Sequence, residues 1–142
     1  MTTSTLSSAQ ASTNAPLFPA IADLSGRIGL AAIFFLAGVN KIQNYEGSAQ
    51  YLTYGGLPEI LLPLVIVFEI GGALALILGF QVRLTALAFA SFSLVTAALF
   101  HNNLGDQIQF LMFFKNLAIA GGFLVVAAHG AGRLSLDKRN SI

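Results

Sequence analysis

The sequence contains no cysteine and no tryptophan. Without thiolates the chain by itself forms no disulfide, performs no thiol–disulfide exchange and holds no iron–sulfur cluster or thiolate-bound metal. Without tryptophan, an aromatic belt at a membrane surface has to be built from the three tyrosines. Charge is scarce as well: 9% of the 142 residues are charged, where soluble domains carry about 25%. The net charge of +1 offers nothing for nucleic acid to bind. No G-x-G-x-x-G follows a strand-like run, so Gly71-Gly72 and Gly121-Gly122 read as helix-packing positions and not as phosphate loops. The two histidines, His101 and His129, have no metal-ligand companions at motif spacing and fall at opposite membrane faces. Neither a metal site nor bis-histidine haem is expected.

What the chain has is hydrocarbon. It is 56% hydrophobic, with a mean hydropathy of +0.78. Four apolar spans follow one another, at residues 21–42, 60–80, 84–100 and 110–128. The reading is an all-α membrane protein of one domain, a four-transmembrane-helix bundle. Residues 1–20, rich in Ser, Thr, Ala and Asn, lack the basic start and apolar stretch of a signal peptide. They read as a flexible tail, with an interfacial piece at 17–24. Residues 21–137 form the membrane domain and 138–142 a C-terminal tail. The connection 43–57 holds Tyr45, Tyr51 and Tyr54, which suits a short interfacial helix between spans 1 and 2.

Orientation follows from lysine and arginine. One side of the bundle carries Arg27, Arg83, Arg133, Lys138 and Arg139, the other only Lys41 and Lys115. The excess predicts cytoplasmic termini. Arg27, Arg83 and Arg133 are then anchors at the cytoplasmic interface.

The second span carries one ionisable residue, Glu69, near its middle. A helix over 60–80 is about 30 Å long, the thickness of the hydrocarbon core, so Glu69 lies near the midplane. A carboxylate there costs at least ~2.5 kcal/mol, so it needs a proton, a partner or a wet cavity. Lys41 ends span 1, His101 ends span 3, and Lys115-Asn116 lie inside span 4, all in the predicted outer half. Small residues share their faces: Ala37 and Gly38, Gly72 and Ala73, Ala97 and Ala98, Ala118 and Ala120. Lys41, Glu69, His101, Lys115 and Asn116 are therefore the ligand-binding candidates of an outward pocket. Tyr45, Tyr51 and Tyr54 are candidates for its lid. An ion pair of Glu69 with Lys41 or Lys115 that only fixes helix register is the competing reading.

Gly38-x-x-Lys41, Glu69-x-Gly71-Gly72, Phe100-His101, Phe113-x-Lys115-Asn116-Leu117 and Gly130-x-Gly132-Arg133-x-Ser135-Leu136-Asp137 recur in one order. In that order they resemble the DoxX family of small four-helix bacterial inner-membrane proteins. Leu134 stands where many relatives have an aromatic residue. The resemblance covers residues 21–137 and implies a multi-pass protein of the bacterial inner membrane. The family takes its name from a subunit of a thiosulfate:quinone oxidoreductase. It therefore points to a quinone-linked redox subunit, or a protein binding a quinone or similar small molecule, with a membrane or periplasmic redox partner. A small-solute or ion carrier acting as a homo-oligomer and a non-catalytic scaffold subunit are the alternatives. The sequence does not decide whether the chain is an enzyme. The partners it implies are the lipid bilayer and a quinone, not nucleic acid.

Overall fold

The computed structural model describes residues 16–139; the tail expected over the first fifteen residues, and residues 140–142 of the C-terminal tail, lie outside the described residues. Among the described residues four helices are long and apolar enough to cross a membrane. Helix α1 spans Leu17–Gln43, and α2, Tyr45–Tyr54, is the short helix expected between the first two spans. A single 3-10 turn, Glu59–Leu61, leads into α3, Leu62–Leu78. Helix α4 is Val82–Phe100, α5 is Gln107–His129, and a one-turn α6, Leu136–Arg139, closes the described chain. Among the described residues there is no strand.

Helix α1 starts four residues earlier than the expected span and absorbs the segment read as a separate interfacial piece. Pro19 does not prevent this. It sits in the first turn, where backbone N–H groups have no intrahelical acceptor to lose. At α5 the start is set by Asp106, whose carboxylate accepts the N–H of Gln109 at 2.9 Å.

The helices associate as two pairs, α1 along α3 and α4 along α5. The core lies where the pairs meet. Phe34, Phe89 and Phe123 fill it among Ala31, Ala73, Ala86, Ala90 and Ala120. The Phe34 and Phe89 ring centroids are 4.4 Å apart, and Phe89 and Phe123 5.3 Å. Alanines between the rings let the helices approach closely, which is how packing holds membrane helices together when lipid is as apolar as the core. The outer surface is correspondingly hydrocarbon, with Leu64, Val67, Leu74, Leu87 and Val95 all exposed.

Both ends of the bundle are tied by polar contacts. At the end shared by the start of α1 and the α3–α4 turn, Arg27 is buried, 2% exposed. Its Nη1 donates to the Leu76 carbonyl at 2.7 Å, and Nη2 donates to the Leu134 carbonyl. Leu76 lies in the last turn of α3, where its carbonyl also accepts the Gly79 N–H at 3.2 Å, so a cation there adds a second hydrogen bond and is favoured by the helix dipole. Arg27 thus acts inside the protein and not as the cytoplasmic interface anchor expected from its position. Its long side chain turns inward, where these carbonyls take its two Nη groups while Nε makes no hydrogen bond.

Candidate functional site

Glu69 belongs to the buried stripe of α3, Leu62, Ile66, Glu69, Ala73 and Leu76, set by the helical repeat. The stripe faces α1. There Gly38 leaves the room: a Cβ at Gly38 would stand 2.6 Å from Ile70 Cγ1 and 3.4 Å from Glu69 Cβ. Lys41 follows three residues later on the same face. The close approach at Gly38 brings its ammonium to both carboxylate oxygens, Nζ lying 3.0 Å from Oε1 and 2.9 Å from Oε2.

The two partners differ in access. The Glu69 side chain is 3% exposed and that of Lys41 26%. Oε2 is in ionic contact with Lys41 but takes part in no well-aligned hydrogen bond. An ammonium has three protons and no acceptor, so the partly open face of Lys41 retains donor capacity. Along α1, Phe34 lies two turns below Lys41 on the same face and joins the ring cluster with Phe68, Phe89 and Phe92.

The other candidates are placed differently. His101 Nδ1 lies 3.0 Å from Gln109 Oε1, which ties the end of α4 to the first turns of α5. Asn116 donates from Nδ2 to the Met112 carbonyl of its own helix at 3.0 Å. Lys115 is exposed on α5 and pairs with no described residue. The five candidates thus resolve into the Lys41–Glu69 pair, a hydrogen bond across the α4–α5 connection, and two residues of α5 directed elsewhere.

Helix α2 packs against the end of the bundle where α3 begins. Ala49 and Leu52 are the buried residues of α2, and they pack with Leu62 and Ile66 of the Glu69 stripe. Tyr45, Tyr51 and Tyr54 are exposed, with Tyr51 stacked on Phe100 at 4.9 Å and on Tyr54 at 6.4 Å. Tyr51 is 49% exposed, and its partial burial raises the hydroxyl above the usual tyrosine pKa, with Tyr54 beside it adding to the shift.

Two cavities lie at opposite ends of the bundle, and neither includes Lys41 or Glu69 in its wall. One, of about 360 Å³, is formed by Tyr54, Phe100, Asn102, Asn103, Asp106 and Gln109. The other, of about 630 Å³, lies between the start of α1, the α3–α4 turn and the segment after α5. Arg83 and Arg133, read as interface anchors, line this second cavity.

Sequence comparison now decides the family. A profile of the DoxX family matches residues 22–102, which include both members of the ion pair. The chain belongs to the DoxX family. It is 48% identical over 115 residues to Inner membrane protein YqjF of Escherichia coli (strain K12), covering 81% of this chain and 88% of that one. It is 36% identical over 123 residues to Inner membrane protein YphA of the same organism, covering 82% of this chain and 88% of that one. No solved structure matches the chain significantly. The chain is accordingly an integral protein of the bacterial inner membrane, in contact with the lipid bilayer through four spans.

Sequence reasoning missed the roles of Arg27 and Asp137. Gly38, read from the sequence as a small packing residue on the Lys41 face, is the point of close approach to α3. For Arg27 the only signal was a charge placed inside the first helix.

Proposed function

We propose that this protein binds a quinone or a similar small dicarbonyl ring in the membrane, with Lys41 and Glu69 as its head-group site, and serves as a quinone-linked redox subunit. The observation that carries this reading is the asymmetry of the pair: a buried carboxylate whose Oε2 lacks a well-aligned hydrogen bond, under an ammonium that is partly open. Those groups fit such a ring. Lys41 supplies a donor for a carbonyl oxygen, and Glu69 supplies an acceptor for a hydroxyl proton. A bound quinone would supply two-electron redox chemistry, with a membrane or periplasmic partner as the electron source. Lys41 orients the ring by its charge, and Glu69 holds or releases a proton beside it in a medium where charge interactions are strong. The rings of Phe34, Phe68, Phe89 and Phe92 make an apolar cluster, with Phe34 two turns along α1 from Lys41.

A second reading is favoured by the closure of the pair itself. Both carboxylate oxygens lie within 3.0 Å of Lys41 Nζ, which is what a strut fixing α1 against α3 in a larger complex requires. The test is to extract quinones from protein purified in mild detergent and titrate the delipidated protein with a ubiquinone analogue. The site reading expects saturable binding that Lys41→Met abolishes. Equal uptake by both proteins would overturn it.

A further inference from the structure

The cavity of about 630 Å³ at the end of the bundle away from the Lys41–Glu69 pair has a wall of mixed charge. Arg83, Arg133, Lys138 and His129 line it together with Asp23 and Asp137. These groups are not equally available. The Asp137 carboxylate already accepts the N–H groups of Gln81 and Val82, and Arg133 has an interaction within the protein. His129 is held through Nδ1 by the Val125 carbonyl at 3.0 Å, which leaves the Nε2 edge of its ring for another group. Arg83 and Lys138 are exposed and have no side-chain partner among the described residues. The Arg83 guanidinium lies over Gly130, with Nε and Nη2 at 3.0 and 3.3 Å from where a Cβ would stand, so a larger residue at 130 would push it away.

The cavity also opens beside hydrocarbon. Leu84 is part of its wall and is 66% exposed. It begins an exposed strip on α4 that continues through Leu87 and Val95 along the length of the helix. A ligand that satisfies both features has an anionic head and an apolar tail. We propose that this cavity is a site for the phosphate group of an anionic phospholipid, held by Arg83 and Lys138, with an acyl chain lying along Leu84, Leu87 and Val95. A guanidinium matches two phosphate oxygens at once, and a lysine adds a point charge. Asp23, the carboxylate of the wall with no backbone N–H groups to cap, opposes the phosphate and weakens its binding. The inference is independent of the quinone reading, since it uses none of the same residues.

The experiment is native mass spectrometry of the full-length protein in neutral detergent, titrated with phosphatidylglycerol, phosphatidylcholine or inorganic phosphate. Phosphatidylglycerol should bind more tightly than phosphatidylcholine. Each cation near a membrane surface contributes about fivefold, so Arg83→Gln with Lys138→Gln should weaken phosphatidylglycerol binding about thirtyfold. Asp23→Asn should tighten it, an effect that damage to the fold does not produce. Equal binding of the two lipids, or an unaltered Kd in the double variant, would overturn the proposal. Displacement of phosphatidylglycerol by millimolar inorganic phosphate would overturn the lipid assignment in favour of a soluble phosphate. Should the double variant fail to fold, Asp23→Asn decides alone: tighter binding upholds the site, and unchanged or weaker binding removes it.

Discussion

The carboxylate of Asp137 accepts the backbone N–H of Val82 at 2.8 Å and that of Gln81 at 2.7 Å. Helix α4 is thus capped by a residue 55 positions away in the chain and not by its own N-cap residue, Gln81, which makes no side-chain cap bond. The link is reciprocal, because the Asp137 N–H donates to the Gly79 carbonyl at 2.8 Å. Gly79 itself, at φ 76°, leaves space that a side chain would take, since its Cβ would stand 2.3 Å from Ser135 Cβ. Together with Arg27, these contacts fasten the 130–137 segment to the turn between α3 and α4. The motif that closes the chain is, on this geometry, a clamp on the fold.

Asp137→Ala should therefore destabilise the protein by about 1–2 kcal/mol, the usual cost of a lost helix cap. Asp137→Asn should cost less, since the amide oxygen still accepts one N–H. Gly79→Ala should cost more than either, because it adds left-handed backbone strain to a steric clash. Thermal unfolding in detergent checks the order. An Asp137→Ala protein with an unchanged midpoint would show that the cap contributes nothing.

The spans were legible because an apolar run about 30 Å long bounded by polar residues has few other fates. The Lys41–Glu69 contact was legible as one of two pairings, since a carboxylate in a span has to find a cation. Choosing Lys41 over Lys115 required knowing that Gly38 lets α1 and α3 meet, a property of the packed pair. Asp137 and Arg27 were out of reach for a related reason. Each acts on backbone groups about 50 residues or more away, and no local pattern in the sequence encodes those partners. His101 and Asn116 looked like pocket residues because polar side chains in apolar runs are conspicuous. Their partners turned out to be near neighbours in sequence, Gln109 and Met112.

Tyr51 gives a pH signature for the short helix α2. Its hydroxyl is raised by burial against Phe100 and by Tyr54, so folding favours the neutral form. That contribution is complete below the ordinary tyrosine pKa of about 10 and is lost as pH rises through the higher folded value. Absorbance titration of the folded protein should show one tyrosine ionising later than the others, and Tyr51→Phe should remove that late component. A late component that survives the substitution would assign the shift elsewhere.

The orientation of the bundle is a separate expectation. With Arg27 buried, the end bearing both described termini still carries Arg83, Arg133, Lys138 and Arg139. The other end has Lys41, already paired with Glu69, and Lys115. The difference favours cytoplasmic termini. A C-terminal fluorescent protein that matures only in the cytoplasm should be bright, and an alkaline phosphatase fusion at the same point inactive. The reverse pattern would invert the topology.

The Lys41–Glu69 pair offers the test that separates a binding site from a strut. Glu69→Gln keeps the side chain's shape and one acceptor but leaves the Lys41 ammonium without its counter-charge. Breaking one side of a buried pair costs about 3–5 kcal/mol, discounted here because Lys41 is partly open. Glu69→Gln should thus lower the unfolding midpoint in detergent. Adding Lys41→Met removes the stranded charge and leaves an apolar chain of similar length in its place, so stability should return towards that of the parent protein. The two readings part over what returns with it. If the pair is a head-group site, the stable double variant should bind no ubiquinone analogue, because donor and acceptor are both gone. If the pair only fixes α1 against α3, any quinone uptake by the parent should be recovered in full. A double variant that is as stable as the parent and binds quinone equally well would sink the site reading and leave the strut.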